Sequence, residues 1–168
     1  MGAKTQKKMN EETHTGVEQQ DFFGPHLMLD LGECNQQALE NLDLVFDVLN
    51  QLPAKVGMTK ITQPYVFKYH GVVPEDWGIT GIVIIAESHI SIHTFPEKRY
   101  VFIDLFSCKN FDVEKAKKYL IKIFGSKKAV VHEVKRGTDF PRSNVPNVPL
   151  VSMGSVSMGR RNRVCNTC

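Results

Sequence analysis

The sequence predicts an α+β domain in which two helices lie on one face of a largely antiparallel sheet. Three features predict it. Several runs carry the two-residue period of strands, and two stretches carry a helical period between a capping residue and a terminator. A polar tetrapeptide, Pro96-Glu97-Lys98-Arg99, joins two β-rich runs as a hairpin turn would. At 168 residues, with 42% hydrophobic and 23% charged residues, the chain is long enough for one domain with its own core.

Each element follows in order. Residues 1–21 are polar and aperiodic, with Lys4, Lys7 and Lys8 ahead of acidic and amide residues, and are expected to form a disordered N-terminal tail. Phe22–Glu33 reads as the first strand, opened by Gly24-Pro25, with Leu27, Leu29 and Leu31 facing the core and His26, Met28 and Asp30 facing away. Asn35 caps a helix whose apolar positions Ala38, Leu42, Val45, Leu49 and Leu52 recur at three and four residues, and Pro53 ends it. Met58–Tyr69 is a second strand, where Pro64 calls for an edge position or a bulge.

Val72–Gly78 is a loop that holds the only tryptophan, Trp77, whose ordinary place is packed over a sheet edge and whose alternative is contact with a substrate. Residues 80–94 alternate weakly and are rich in Ile and Val, as one buried strand would be, and Tyr100–Ser107 is the next. Asp112 caps a second helix with the apolar face Val113, Ala116, Leu120, Ile123 and Phe124, and Gly125 terminates it. Its lysines, Lys115, Lys117, Lys118 and Lys122, form a solvated side. Lys128–Lys135 alternates as the last strand, so the domain spans 22–137 and leaves 138–168 as a flexible C-terminal tail.

Composition excludes several classes. A net charge of +3 is too small to argue for nucleic acid, and no apolar run reaches the ~20 residues of a membrane span. The N-terminus lacks the basic-then-apolar layout of a secretory signal. Cys34, Cys108, Cys165 and Cys168 form no disulfide framework, which fits a reducing cytoplasm. Cys165 and Cys168 have half the spacing of a zinc site, but no second Cys/His pair completes it, and no metal is expected. Arg160, Arg161 and Arg163 are ordinary for a solvated terminus.

The hairpin gathers the chemistry. If its turn is centred between Glu97 and Lys98, His93 lies opposite Phe102, Ser88 opposite Ser107 and Glu87 opposite Cys108, with opposed Cβ atoms roughly 5 Å apart. A one-residue slip would exchange the faces. Ser88, two histidines (His89 and His93) and Cys108 therefore gather near one end of the hairpin.

The run Glu87-Ser88-His89-Ile90-Ser91-Ile92-His93-Thr94-Phe95-Pro96-Glu97, followed by Ile103-Asp104-Leu105-Phe106-Ser107-Cys108, resembles the prokaryotic S-adenosylmethionine decarboxylase proenzymes. Gly24-Pro25-His26-Leu27 and Glu33-Cys34 fit the family's opening, Gly78-Ile79-Thr80-Gly81 its approach to the motif, and the match fades near Arg136-Gly137. The resemblance implies a pyruvoyl-dependent, self-cleaving enzyme of polyamine synthesis. It implies two protomers packing their sheets as an αββα sandwich, with active sites at or near the interface, and a closed twofold dimer is also the commonest homo-oligomer.

In an arbitrary protein Ser88 is a strand serine. By resemblance its hydroxyl attacks the Glu87 carbonyl, an N→O acyl shift gives an ester, and β-elimination cleaves the chain between 87 and 88, leaving a pyruvoyl group made from Ser88. His93 matches the family's processing histidine; imidazole accepts a proton near neutral pH. An odd separation puts Ser88 and His93 on opposite faces of an uninterrupted strand, so a bend, bulge or strained peptide near Ser88 is expected. His89 shares the face of His93 and competes for the assignment.

Cys108, otherwise a small buried residue, matches the acid that protonates the substrate carbon after CO2 leaves a Schiff base with the pyruvoyl ketone. Glu97 matches a site glutamate, and Phe95 keeps an aromatic face where some relatives have Trp, suited to stacking on adenine or attracting a sulfonium. Phe67 and Tyr69 are further candidates for substrate binding. The motif does not separate S-adenosylmethionine from arginine or ornithine as substrate. Two rivals of another class are a non-processing regulatory subunit and a Cys/His metal module built on the tail.

Overall fold

The computed structural model describes residues 22–141. Both expected tails, with Arg160, Arg161, Arg163, Cys165 and Cys168, lie outside the described residues apart from positions 138–141. The domain is built on one six-stranded sheet in the order β2 (Tyr65–Tyr69), β3 (Gly78–Ile85), β4 (Ser88–Phe95), β5 (Tyr100–Ser107), β1 (Gly24–Gly32) and β6 (Lys128–Arg136), with antiparallel neighbours throughout.

β1 (Gly24–Gly32) alternates as expected: Leu27, Leu29 and Leu31 are buried, and His26, Met28 and Asp30 take the other face. The helix expected over 35–52 is two helices, α1 (Gln36–Glu40) and α2 (Leu42–Lys55). Asn41 between them has an extended backbone, and its side chain accepts from Leu44 N, so it caps α2 as Asn35 caps α1. Pro53 lies inside α2 rather than ending it; the chain leaves the helix through Gly57, whose φ of +78° suits only glycine without strain.

The second strand is shorter than expected. β2 (Tyr65–Tyr69) is an edge strand that begins directly after Pro64, and residues 58–64 form no strand, running beside Ile84 and Ile85 through an isolated bridge, Lys60 to Ile85, and a hydrogen bond from Ile61 N–H to Ile84 O at 3.1 Å. A second correction matters more. Residues 80–94 form two antiparallel strands, β3 (Gly78–Ile85) and β4 (Ser88–Phe95), joined by a tight turn at Ala86-Glu87. The turn is tied from outside, by Ala86 N–H to Thr59 O at 2.8 Å and Thr59 N–H to Glu87 Oε2 at 3.1 Å.

β5 (Tyr100–Ser107) pairs with β4 in the register read from the sequence, Ser88 opposite Ser107 and His93 opposite Phe102. α3 (Val113–Phe124) starts at Asp112, which accepts from Lys115 N at 2.8 Å, and stops at Gly125 with φ +60°. β6 (Lys128–Arg136) closes the sheet beside β1.

One face of the sheet packs under the helices: Ile79, Val83, Ile90, Ile92, Val101 and Ile103 meet Val45, Leu49, Leu52, Leu120 and Phe124, all buried. The opposite face is left open in the single chain, where Phe67, Ile82, Ile84, Phe102, Val130 and Val134 are each about 40% exposed. Among the described residues no helix is long and apolar enough to cross a membrane.

Candidate active site

Ser88 is the first residue of β4, immediately after the Ala86-Glu87 turn. The Glu87 carboxylate is engaged by Thr59, and the Glu87 carbonyl oxygen accepts a hydrogen bond from Cys108 N–H at 3.0 Å. Ser88 Oγ stands 3.1 Å from His89 Nδ1. On the neighbouring strand Ser107 is buried, and its hydroxyl donates to Lys109 O and accepts from Lys109 N, which fixes the bend that carries Cys108. Gly24 lets β1 approach that bend, because a Cβ there would sit 1.8 Å from Ser107 O. The structure thus brings together Ser88, His89, Cys108 and the carbonyl of Glu87.

His93 lies elsewhere. The β4 ladder runs without a bulge from Ser88 to His93 against β3 and from Ser88 to Phe95 against β5, so the expected distortion near Ser88 is absent. Five residues of strand separate the two positions, roughly 17 Å. His93 Nδ1 is 3.2 Å from Thr80 Oγ1 on β3. It lines a groove of about 280 Å³ on the open face with Phe67, Tyr69, Thr80 and Phe95, so three of the expected binding aromatics do converge, at the far end of β4 from Ser88. Glu97 accepts from Trp77 Nε1 at 3.3 Å, and Trp77 stacks with His70, which makes the loop tryptophan a brace for the hairpin turn.

The sequence reading missed a cluster beside His89. On the open face His26 and His89 both stand against Phe106, and Arg136 lies over the same ring at 4.2 Å. His26 Nε2 is buried 3.3 Å from Asp104 Oδ1 without hydrogen-bond geometry. Burial lowers the His26 pKa, Asp104 opposes that, and Arg136 and His89 add to it. The available signal was strand parity, which puts His26, Asp104, Phe106 and His89 on one face. Among the described residues no three His, Cys, Asp or Glu side chains are grouped to hold a metal.

The fold, an antiparallel sheet with helices on one face, is shared with a solved enzyme. The crystal structure of the adenosylmethionine decarboxylase from Aquifex aeolicus VF5 aligns with a TM-score of 0.59 and 26% identity, over 69% of this chain and 92% of that one. The family model described as S-adenosylmethionine decarboxylase matches residues 25–137, and the chain belongs to that family. Similar relatives are the S-adenosylmethionine decarboxylase proenzymes of Clostridium botulinum, 41% identical over 69% of this chain and 96% of the relative, and of Thermococcus gammatolerans, 37% identical over 71% and 80%.

Proposed function

We infer that this protein is a self-processing S-adenosylmethionine decarboxylase that releases CO2 and the decarboxylated, aminopropyl-donating product for polyamine synthesis, with Glu87–Ser88 as the bond it cuts in itself. The observation that carries the self-cleavage is the hydrogen bond from Cys108 N–H to the Glu87 carbonyl oxygen. A donor already on that oxygen polarises the carbonyl and stabilises the oxyanion formed when the adjacent Ser88 hydroxyl adds to it, the type of contact whose loss costs ~10²–10³-fold in acyl transfer. The pyruvoyl group left at residue 88 supplies an electrophilic ketone and an electron sink for loss of CO2.

The other residues divide as follows. The half-buried Cys108 thiol, on the residue after Ser107, which pairs with Ser88, donates the proton to the substrate carbon. His93 acts in processing, and Phe95, Phe67 and Glu97 bind substrate. In one chain His93 and its groove are ~17 Å from Ser88 by strand rise. Two copies packed through their open sheet faces, about a twofold axis that reverses β4, bring the groove of one over the Ser88 end of the other. The exposed aromatic and aliphatic residues of that face favour the homodimer, since an uncovered apolar sheet face is costly in water. The cysteine pattern favours a cytoplasmic setting.

The test offers purified, processed protein S-adenosylmethionine, arginine and ornithine in turn and measures released CO2. Release from S-adenosylmethionine alone is expected; release from either of the other two instead would assign the substrate differently.

A further inference from the structure

The mechanism above leaves the first proton unassigned. Before Ser88 Oγ can add to the Glu87 carbonyl its proton must leave, and an unassisted hydroxyl is a weak nucleophile. Within the same chain His93 is a strand's length away. The Glu87 carboxylate is turned to Thr59 N–H. Cys108 meets the Glu87 carbonyl with its backbone N–H. His89 Nδ1, by contrast, stands 3.1 Å from Ser88 Oγ, within the distance a general base needs.

The local fold explains how neighbours of opposite strand parity meet. Ser88 opens β4 directly after the turn, and the His89 ring is fixed on the open face, opposite Phe106 and Ile84 in the ladder and edge-on to the Phe106 ring at 6.2 Å. Half-buried there, the ring has little freedom to swing away from the hydroxyl.

We propose that His89 is a catalytic residue of self-processing: its Nδ1 takes the Ser88 hydroxyl proton in the acyl shift and returns it to the departing amine. This rests on the self-cleavage reading. The Oγ–H bond breaks as Oγ bonds to the Glu87 carbonyl carbon, closing a five-membered ring whose oxyanion faces Cys108 N–H. The carbon–nitrogen bond then breaks, and the nitrogen of residue 88 receives the proton from the His89 imidazolium. An ester and a free amine result with no change in oxidation state. His93 is left with the later step, elimination across Cα and Oγ.

The test follows cleavage of freshly translated full-length protein by denaturing mass spectrometry, for the parent, His89→Ala, His89→Asn and Ser88→Ala. Asn can accept the hydroxyl's hydrogen bond but not its proton. The expected result is cleavage slowed ~10²–10⁴-fold in both His89 variants, with part of the rate restored to His89→Ala by added imidazole. Hydroxylamine, which cuts esters, should leave the stalled His89 variants intact because the shift itself has not occurred. Parent-rate cleavage in His89→Ala overturns the proposal, as does parent-rate cleavage in His89→Asn, or a hydroxylamine-sensitive ester accumulating in either variant. A parent that stays uncut overturns the self-cleavage reading itself, whereas a cut parent with an equally cut His89→Ala overturns only the role of His89. Thermal unfolding of the uncut variants, compared with Ser88→Ala, separates slow chemistry from misfolding.

Discussion

Cys108 donates its backbone N–H to the carbonyl oxygen of Glu87 at 3.0 Å, the residue before the serine that the chain is expected to convert. On the proposed mechanism one residue would carry two separable functions: its main chain would serve the making of the prosthetic group and its thiol the use of it.

Replacing the side chain alone should expose this. Cys108→Ala keeps the N–H, so it should still cut to a useful extent, while decarboxylation per pyruvoyl group should fall ~10²–10⁴-fold for want of a positioned acid. Were Cys108 only a packing residue, the change would cost ~1–2 kcal/mol of stability and leave turnover of folded, processed protein nearly intact. Rate per pyruvoyl group, not per milligram, decides between them.

Replacing the main-chain donor should do the reverse. An amide-to-ester change at residue 108, made by semisynthesis with the thiol retained, removes the hydrogen bond to Glu87 O. Self-cleavage should slow ~10²–10³-fold. Cleavage at the parent rate would leave the N–H as no more than a ladder bond.

The separation of His93 from Ser88 makes a prediction about two chains. Ser88→Ala and His93→Ala should each stay uncut or nearly so when made alone. Made together, the His93→Ala chain should be cut, since its intact Ser88 meets the His93 of a Ser88→Ala partner. Mass spectrometry of the mixed dimer checks this, and the absence of any cleavage in the mixture would contradict a site shared between copies.

His26 should give the protein a pH dependence. Burial favours its neutral form, so its folded pKa lies below the unfolded value of 6.5. The unfolded chain then takes up the proton first. Stability attributable to His26 is present above 6.5 and is lost as pH falls through that value toward the folded pKa. The ionisable groups facing it are Asp104, Arg136 and His89. In urea unfolding between pH 7.5 and 5.5, the disadvantage of His26→Asn relative to the parent should shrink as pH falls; a constant difference would remove His26 from the account.

Much of this architecture was legible in the sequence for identifiable reasons. The polar tetrapeptide after Phe95 fixes the β4–β5 register, and with it the meeting of Glu87 and Cys108. Leu27, Leu29 and Leu31 mark the core face by alternation alone. The Ala86-Glu87 turn was not legible: it has no glycine, proline or asparagine, and its anchor is Thr59, 28 residues away from Glu87. The break at Asn41 was masked because Ala38 and Leu42 keep helical spacing across it. At the site, parity correctly set Ser88 and His93 apart but suggested a local distortion, whereas the ladder is regular and the separation stands. The Ser88–His89 contact depends on Ser88 being the first residue of its strand, and a reading that ran 80–94 as a single strand hid that.

The most direct measurement is the intact mass of the purified active protein under denaturing conditions. The account predicts two fragments, residues 1–87 with a free carboxylate and 88–168 beginning with a pyruvoyl group in place of serine, and a single full-length chain for Ser88→Ala. An active parent that is a single uncut chain would contradict it.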